Sequence, residues 1–93
     1  MEAGRYLILF YDYVPDVVER RAPHRPDHLA LVQGYKRDGK IVAGGALGNP
    51  VSGAAIVFSV GDEDEVRRFV ESDPYIQAGL VTDWRIVPWT VVT

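Results

Sequence analysis

Tyr6-Leu7-Ile8-Leu9-Phe10-Tyr11 is the stretch that decides the fold. Six consecutive apolar residues are too few for a stable helix and rich in types that suit a pleated strand. Side chains alternate across a strand, so Tyr6, Ile8 and Phe10 point one way and Leu7, Leu9 and Tyr11 the other. Both faces of this strand are therefore apolar. Two later segments repeat the pattern: Ile56 and Phe58 oppose Ala55 and Val57, and Trp84 and Ile86 oppose Val87 and Trp89. A sheet with helices on one side normally shows water a polar second face. Here the second face calls for its own cover, most economically the same face of a second subunit in a twofold homodimer.

Working outward from strand one, Asp12 to Arg21 is a connector with Pro15 and room for a helical turn through Val17-Val18-Glu19. Pro26 suits the first turn of a helix and Asp27 its positive end, while His28, Leu29, Val32 and Tyr35 recur at helical spacing. Asp38-Gly39 stops that helix. Lys40 to Gly44 reads as strand two, Gly45 to Gly53 as a glycine-rich loop containing Asn49-Pro50, and Ala54 to Val60 as strand three. Asp62 to Glu65 load acids into the start of a second helix, whose buried stripe is Val66, Phe69 and Val70. Pro74 forces Asp73 out of the helical region and ends it. After a short turn through Ile76 to Gly79, Asp83 to Val92 form strand four, placed at an edge or bulged by Pro88. The order is β-α-β-β-α-β over residues 1–93 as one domain. It is the α+β, ferredoxin-like arrangement, a four-stranded antiparallel sheet with two helices on one face.

Composition narrows the function. With 93 residues the chain has a thin core of its own. A net charge of −3 argues against a nucleic-acid or anionic-membrane binder, and no apolar stretch reaches the ~20 residues needed to span a bilayer. The absence of cysteine excludes disulfides and thiolate chemistry. Met1 to Arg5 lead straight into the first strand without a signal-peptide core, and the expected location is the cytoplasm.

The topology also predicts where chemistry gathers. Helix one starts where strand one ends, and helix two finishes where strand four begins. These points share one rim of the sheet with the loop between strands two and three, so His28 and Asp73 converge there. The helix dipole and the nearby Arg21 and Arg25 oppose an imidazolium at His28, whereas an ionised Asp73 favours it; Asp73 in turn lies at a helix C-terminus that disfavours an anion. Groups held in conflicting fields are acid/base candidates. A satisfied semi-buried histidine and a helix-capping aspartate are the structural alternatives. His24 and His28 have i, i+4 spacing, but Pro26 and the arginines Arg20, Arg21 and Arg25 speak against a metal site. The same arginines suit the carboxylate or phosphate of a small ligand. The phenols of Tyr11, Tyr13 and Tyr75 are able to donate hydrogen bonds at the rim, with aromatic packing the simpler account of each.

Arg21 and Arg25 before Pro26-Asp27-His28-Leu29, Gly39, Gly44-Gly45, Asp73-Pro74-Tyr75 with Gly79, and Pro88-Trp89 together resemble the YciI-like (YCII-related) family over nearly the whole chain. The chain departs from the common pattern at Gly45-Ala46, where Gly-Pro is frequent. The resemblance implies a dimeric α/β-barrel fold and an active site on His28 and Asp73. Its related proteins include a dehydrochlorinase of a chlorinated hydroxyquinol and, more remotely, muconolactone isomerases. The expected function is a cofactor-independent small-molecule lyase or isomerase. In it His28 moves a proton, Asp73 orients it, and Arg21, Arg25 and Tyr75 bind an acidic or phenolic substrate. The alternative is a non-catalytic homodimeric metabolite-binding module.

Overall fold

A computed structural model describes residues 1–93. Its elements are β1 (Gly4–Tyr13), α1 (Val17–Arg20), α2 (Arg25–Arg37), β2 (Ile41–Leu47), β3 (Gly53–Phe58), α3 (Glu63–Ser72), α4 (Pro74–Gln77) and β4 (Val81–Val91). The strands form one antiparallel sheet in the order β2-β3-β1-β4. The fold is α+β and ferredoxin-like, as the order of elements predicts. β4 lies at an edge, which is where Pro88 is tolerated; Pro88 pairs with Leu7 without a register shift.

The alternation in β1 is realised. Leu7, Leu9 and Tyr11 are buried on the helix-covered face, with Ile41, Ile56 and Phe58 beside them and Val66, Phe69 and Val70 of α3 above. Tyr35, Phe58 and Phe69 meet edge to face, with centroids 5.2 Å apart for Tyr35–Phe69 and 5.4 Å for Phe58–Phe69. The acidic first turn of α3 is capped by Asp62, whose Oδ1 accepts from the Asp64 backbone N–H at 2.8 Å. On the opposite face Tyr6, Ile8 and Phe10 pair across β4 with Trp89, Val87 and Arg85, and the Arg85 guanidinium lies 4.6 Å from the Phe10 ring centroid. No helix is long and apolar enough to cross a membrane.

Several boundaries differ from the sequence reading. β2 runs on through Gly44-Gly45-Ala46-Leu47, so the expected Gly45–Gly53 loop shrinks to residues 48–52, with a cis Asn49–Pro50 bond. Glycine and alanine are poor strand formers, but Gly44, Gly45 and Ala46 are held by pairing with Ile56, Ala55 and Ala54. β1 extends at both ends and β4 begins two residues earlier than expected, ending at Val91, because each completes the other's ladder, from Gly4↔Val91 to Tyr13↔Val81. Leu29 is not part of a buried stripe: it is 41% exposed, and Leu31, Val32 and Tyr35 face the core instead. The start of α2 overhangs a cavity there. One glycine is required by close approach: a Cβ on Gly53 would collide with the carbonyl oxygen of Tyr11 on the neighbouring strand. That contact seats Tyr11 at the rim where the site forms.

Candidate active site

Asp73 is the hinge of the rim. Pro74 holds it extended (φ −75°, ψ 120°), which ends α3, and the same residue caps α4, its Oδ1 accepting the Tyr75 N–H at 3.0 Å. Its side chain is completely buried. A carboxylate buried without partners is costly, and this one has three donors. Besides the Tyr75 amide, His28 Nδ1 lies 2.8 Å from Oδ1 and the Tyr11 hydroxyl donates to Oδ2 at 2.8 Å. His28 comes from the first turn of α2, its own amide bonded to the His24 carbonyl at 3.0 Å. The topology thus brings together residues 45 positions apart, as the strand directions require.

Sequence reasoning named Tyr11 as a rim phenol able to donate a hydrogen bond but preferred aromatic packing for it and left it out of the catalytic set; here it donates to Asp73. Its place on the inward face of strand one made it look like one more core aromatic. The distinguishing signal was position: it lies on the inward face of β1 close to the rim, on the same side as Asp73. Tyr75 closes the site from the other side. Its ring stacks on the His28 imidazole with centroids 3.8 Å apart and planes 4° from parallel, which fixes the imidazole's tilt. His28 Nδ1 is taken by Asp73, while Nε2 has no protein partner.

A cavity of about 240 Å³ opens at this point. Its floor is the helix-side surface of the pairs Gly44–Ile56 and Ala46–Ala54, and its roof is His28, Leu29 and Val32 of α2. Tyr13, Tyr75, Arg21 and Arg25 complete the wall. Every residue that the sequence placed at the site is therefore here: His28 and Asp73 bonded to each other, and Arg21, Arg25 and Tyr75 around the opening.

The phenols share one electrostatic feature. Burial pushes Tyr11 well above the usual tyrosine range, and the Asp73 carboxylate pushes it further. Burial also raises Tyr13, as does the neighbouring Tyr75 phenol. Tyr75 is raised by burial, with Arg21 and Arg25 pulling the other way. All three remain O–H donors at neutral pH. The sign for stability follows: a group raised in the fold contributes fully below its unfolded value, near pH ~10 for tyrosine, and that contribution is lost as pH climbs toward the folded value. The urea midpoint should hold level from neutral pH to about 9 and fall above about 10. In Tyr11→Phe the fall should be shallower, because one raised phenol is gone.

The sequence matches the YCII-related domain over residues 5–90. The chain belongs to the YCII-related family. No curated protein matches it. Among solved structures it is similar to the 5-chloro-2-hydroxyhydroquinone dehydrochlorinase TftG of Burkholderia phenoliruptrix, solved in complex with 2,5-dihydroxybenzoquinone. The TM-score is 0.77 and the identity 25%, covering 91% of this chain and 93% of that one. A NIPSNAP domain protein of Burkholderia xenovorans (TM-score 0.57, 12% identity, 96% and 95% covered) shares the fold. So does a dimeric ferredoxin-like protein of Thermobifida fusca (0.51, 18%, 98% and 93%).

Proposed function

We propose that this protein is a small-molecule enzyme of the lyase or isomerase type in which His28 transfers a proton. One observation carries the reading: a buried carboxylate engages Nδ1 of a histidine whose Nε2 is unpartnered at a cavity wall. A carboxylate accepts only, so Nδ1 carries the proton and the Nε2 lone pair is left to act as base. When Nε2 takes a proton, the imidazolium forms 2.8 Å from Asp73, where its charge is met without reorganisation. Returning the proton to another atom completes an isomerisation. In an elimination, the electron pair of the broken bond to hydrogen forms the new double bond, and the leaving group departs with its own pair. Loss of HCl is such a reaction, and the similar dehydrochlorinase lends support. Neither route calls for an electron acceptor.

The functional unit in this reading is a cytoplasmic homodimer joined through the open sheet face. Tyr6, Ile8, Phe10, Val57 and Val87 lie on that face and Trp89 is 37% exposed there, a surface better suited to a second sheet than to water. Sedimentation gives the mass directly.

The enzymatic reading is tested by chloride release from 5-chloro-2-hydroxyhydroquinone and by deuterium uptake at the ring carbons of 2,5-dihydroxybenzoquinone. The wild type should accelerate at least one, and His28→Gln should slow it by about 10²–10⁴-fold. A wild type that binds these compounds and turns over neither would be a binding module.

A further inference from the structure

The Tyr75 hydroxyl is the one buried side-chain polar atom in the protein without a hydrogen-bond partner. The residue is 1% exposed, so its oxygen cannot turn to bulk water. A buried hydroxyl left unpaired is costly, and native proteins keep few of them. The cost is explained where a ligand supplies the missing partner. Tyr75 lines the cavity, next to Arg21 and Arg25. Both guanidiniums stand near enough to act on the phenol's charge, and Arg25 is within hydrogen-bonding reach of its oxygen, yet neither makes a bond of good hydrogen-bond geometry to it. The hydroxyl is a donor that burial keeps protonated. A donor flanked by two cations suits an anionic oxygen as its acceptor, and no protein atom supplies one.

The shape of the cavity narrows the ligand further. Three of the four residues of its floor, Gly44, Ala46 and Ala54, are small, with Ile56 the one larger side chain, and the floor is set below Leu29 and Val32. A Cβ on Gly44 would rise from that floor against the Ile56 side chain, 3.6 Å away. The space is thus a low slot with an apolar roof and one polar end. An engineered cavity of ~150 Å³ admits benzene. The 240 Å³ here holds one substituted ring.

We infer that Tyr75, Arg21 and Arg25 form a seat for the ionised oxygen of a planar, single-ring phenol or enol lying in the slot between α2 and the β2–β3 pair. This rests on the proton-transfer reading for its purpose, since the seat holds the ring beside His28, whose imidazole stacks on Tyr75 itself. An enolate oxygen held there has its developing charge met by the phenol and the guanidiniums while Nε2 handles the proton.

The probes are 2,5-dihydroxybenzoquinone, an acid ionised at neutral pH, and 2,5-dimethoxybenzoquinone, which presents the same ring without an ionisable oxygen. Calorimetry should show the wild type binding the acid at least tenfold more tightly. Tyr75→Phe keeps the ring, its stacking and the backbone N–H to Asp73; it should weaken the acid by about 10- to 100-fold and leave the dimethoxy compound nearly unchanged. Arg25 is exposed, so Arg25→Gln leaves the core untouched and should also lower the preference for the acid. Equal binding of both probes by the wild type, or of the acid by Tyr75→Phe and wild type, overturns the seat. The two proposals fail separately. Anion preference that depends on Tyr75 without turnover keeps the seat and removes the enzyme, whereas turnover indifferent to Tyr75→Phe does the reverse.

Discussion

Asp73→Asn should abolish most turnover, by about 10²–10⁴-fold, while leaving His28 in its original tautomer. The amide is the same size as the carboxylate, so the packing survives; what changes is charge and one donor. The Tyr75 backbone N–H is fixed 3.0 Å from Oδ1 and needs an acceptor, which orients the Asn oxygen toward it. His28 Nδ1, also on Oδ1, keeps its acceptor and hence its proton. The Asn NH₂ then faces the Tyr11 oxygen, which must reverse from donor to acceptor. Three charge-assisted bonds become neutral ones and the Tyr11 hydrogen loses its partner, for a stability cost of about 1.5–3 kcal/mol. The imidazolium, once formed, has no counter-charge. Nitrogen-15 spectra of His28, urea midpoints and chloride release separate these effects. Unchanged turnover would show that the carboxylate's charge is irrelevant to the chemistry. A reversed tautomer would show that the amide is held the other way round. Asp73→Leu, which strands all three donors, should cost more than the Asn variant.

Much of this site could be read from residue order. Alternation in Tyr6–Tyr11 gave β1 two apolar faces, and Pro88 sent β4 to an edge. The directions of the strands brought Asp73 to His28 without any knowledge of a distance. Three features were less legible, because register or a cavity decides them rather than pattern. Tyr11 is apolar by every periodicity test, and only its pairing with Ala54 and Trp84 puts its oxygen on Asp73. β2 has no local reason to continue through Gly44-Gly45, and it persists because β3 offers a matching ladder. Leu29 has helical spacing from Val32 but faces a cavity, and a cavity leaves no periodic trace. Each of these features belongs to the site: a donor to the acid, the floor of the slot and its roof. A scaffold's pattern is set by burial, while a site is made where burial is incomplete.

Phe69→Ala should be the most damaging core substitution, at about 3–5 kcal/mol. Phe69 is fully buried, and its ring meets two others edge to face, those of Tyr35 from α2 and Phe58 from β3. Removing it withdraws an aromatic side chain from the junction of a helix, a second helix and the sheet. Neighbouring strands cannot collapse into the gap without breaking their ladder. A domain of this size commonly has only about 5–15 kcal/mol in total, so the variant should lose about a fifth or more of its stability. The loss should be read as a urea midpoint at fixed protein concentration, because the proposed homodimer would gain apparent stability with concentration. Phe69 also lies one helical turn before Asp73, on the same side of α3. Slack at Phe69 is therefore transmitted along α3 to its C-terminal end, where Pro74 gives the backbone little freedom to compensate. The His28 Nδ1–H signal should broaden or exchange faster in Phe69→Ala even under conditions where the variant is fully folded. Phe69→Leu, which refills most of the volume, should restore a sharp signal and most of the midpoint. A Phe69→Ala protein with an unaltered Nδ1–H signal would show that α3 holds Asp73 through the three local donors alone.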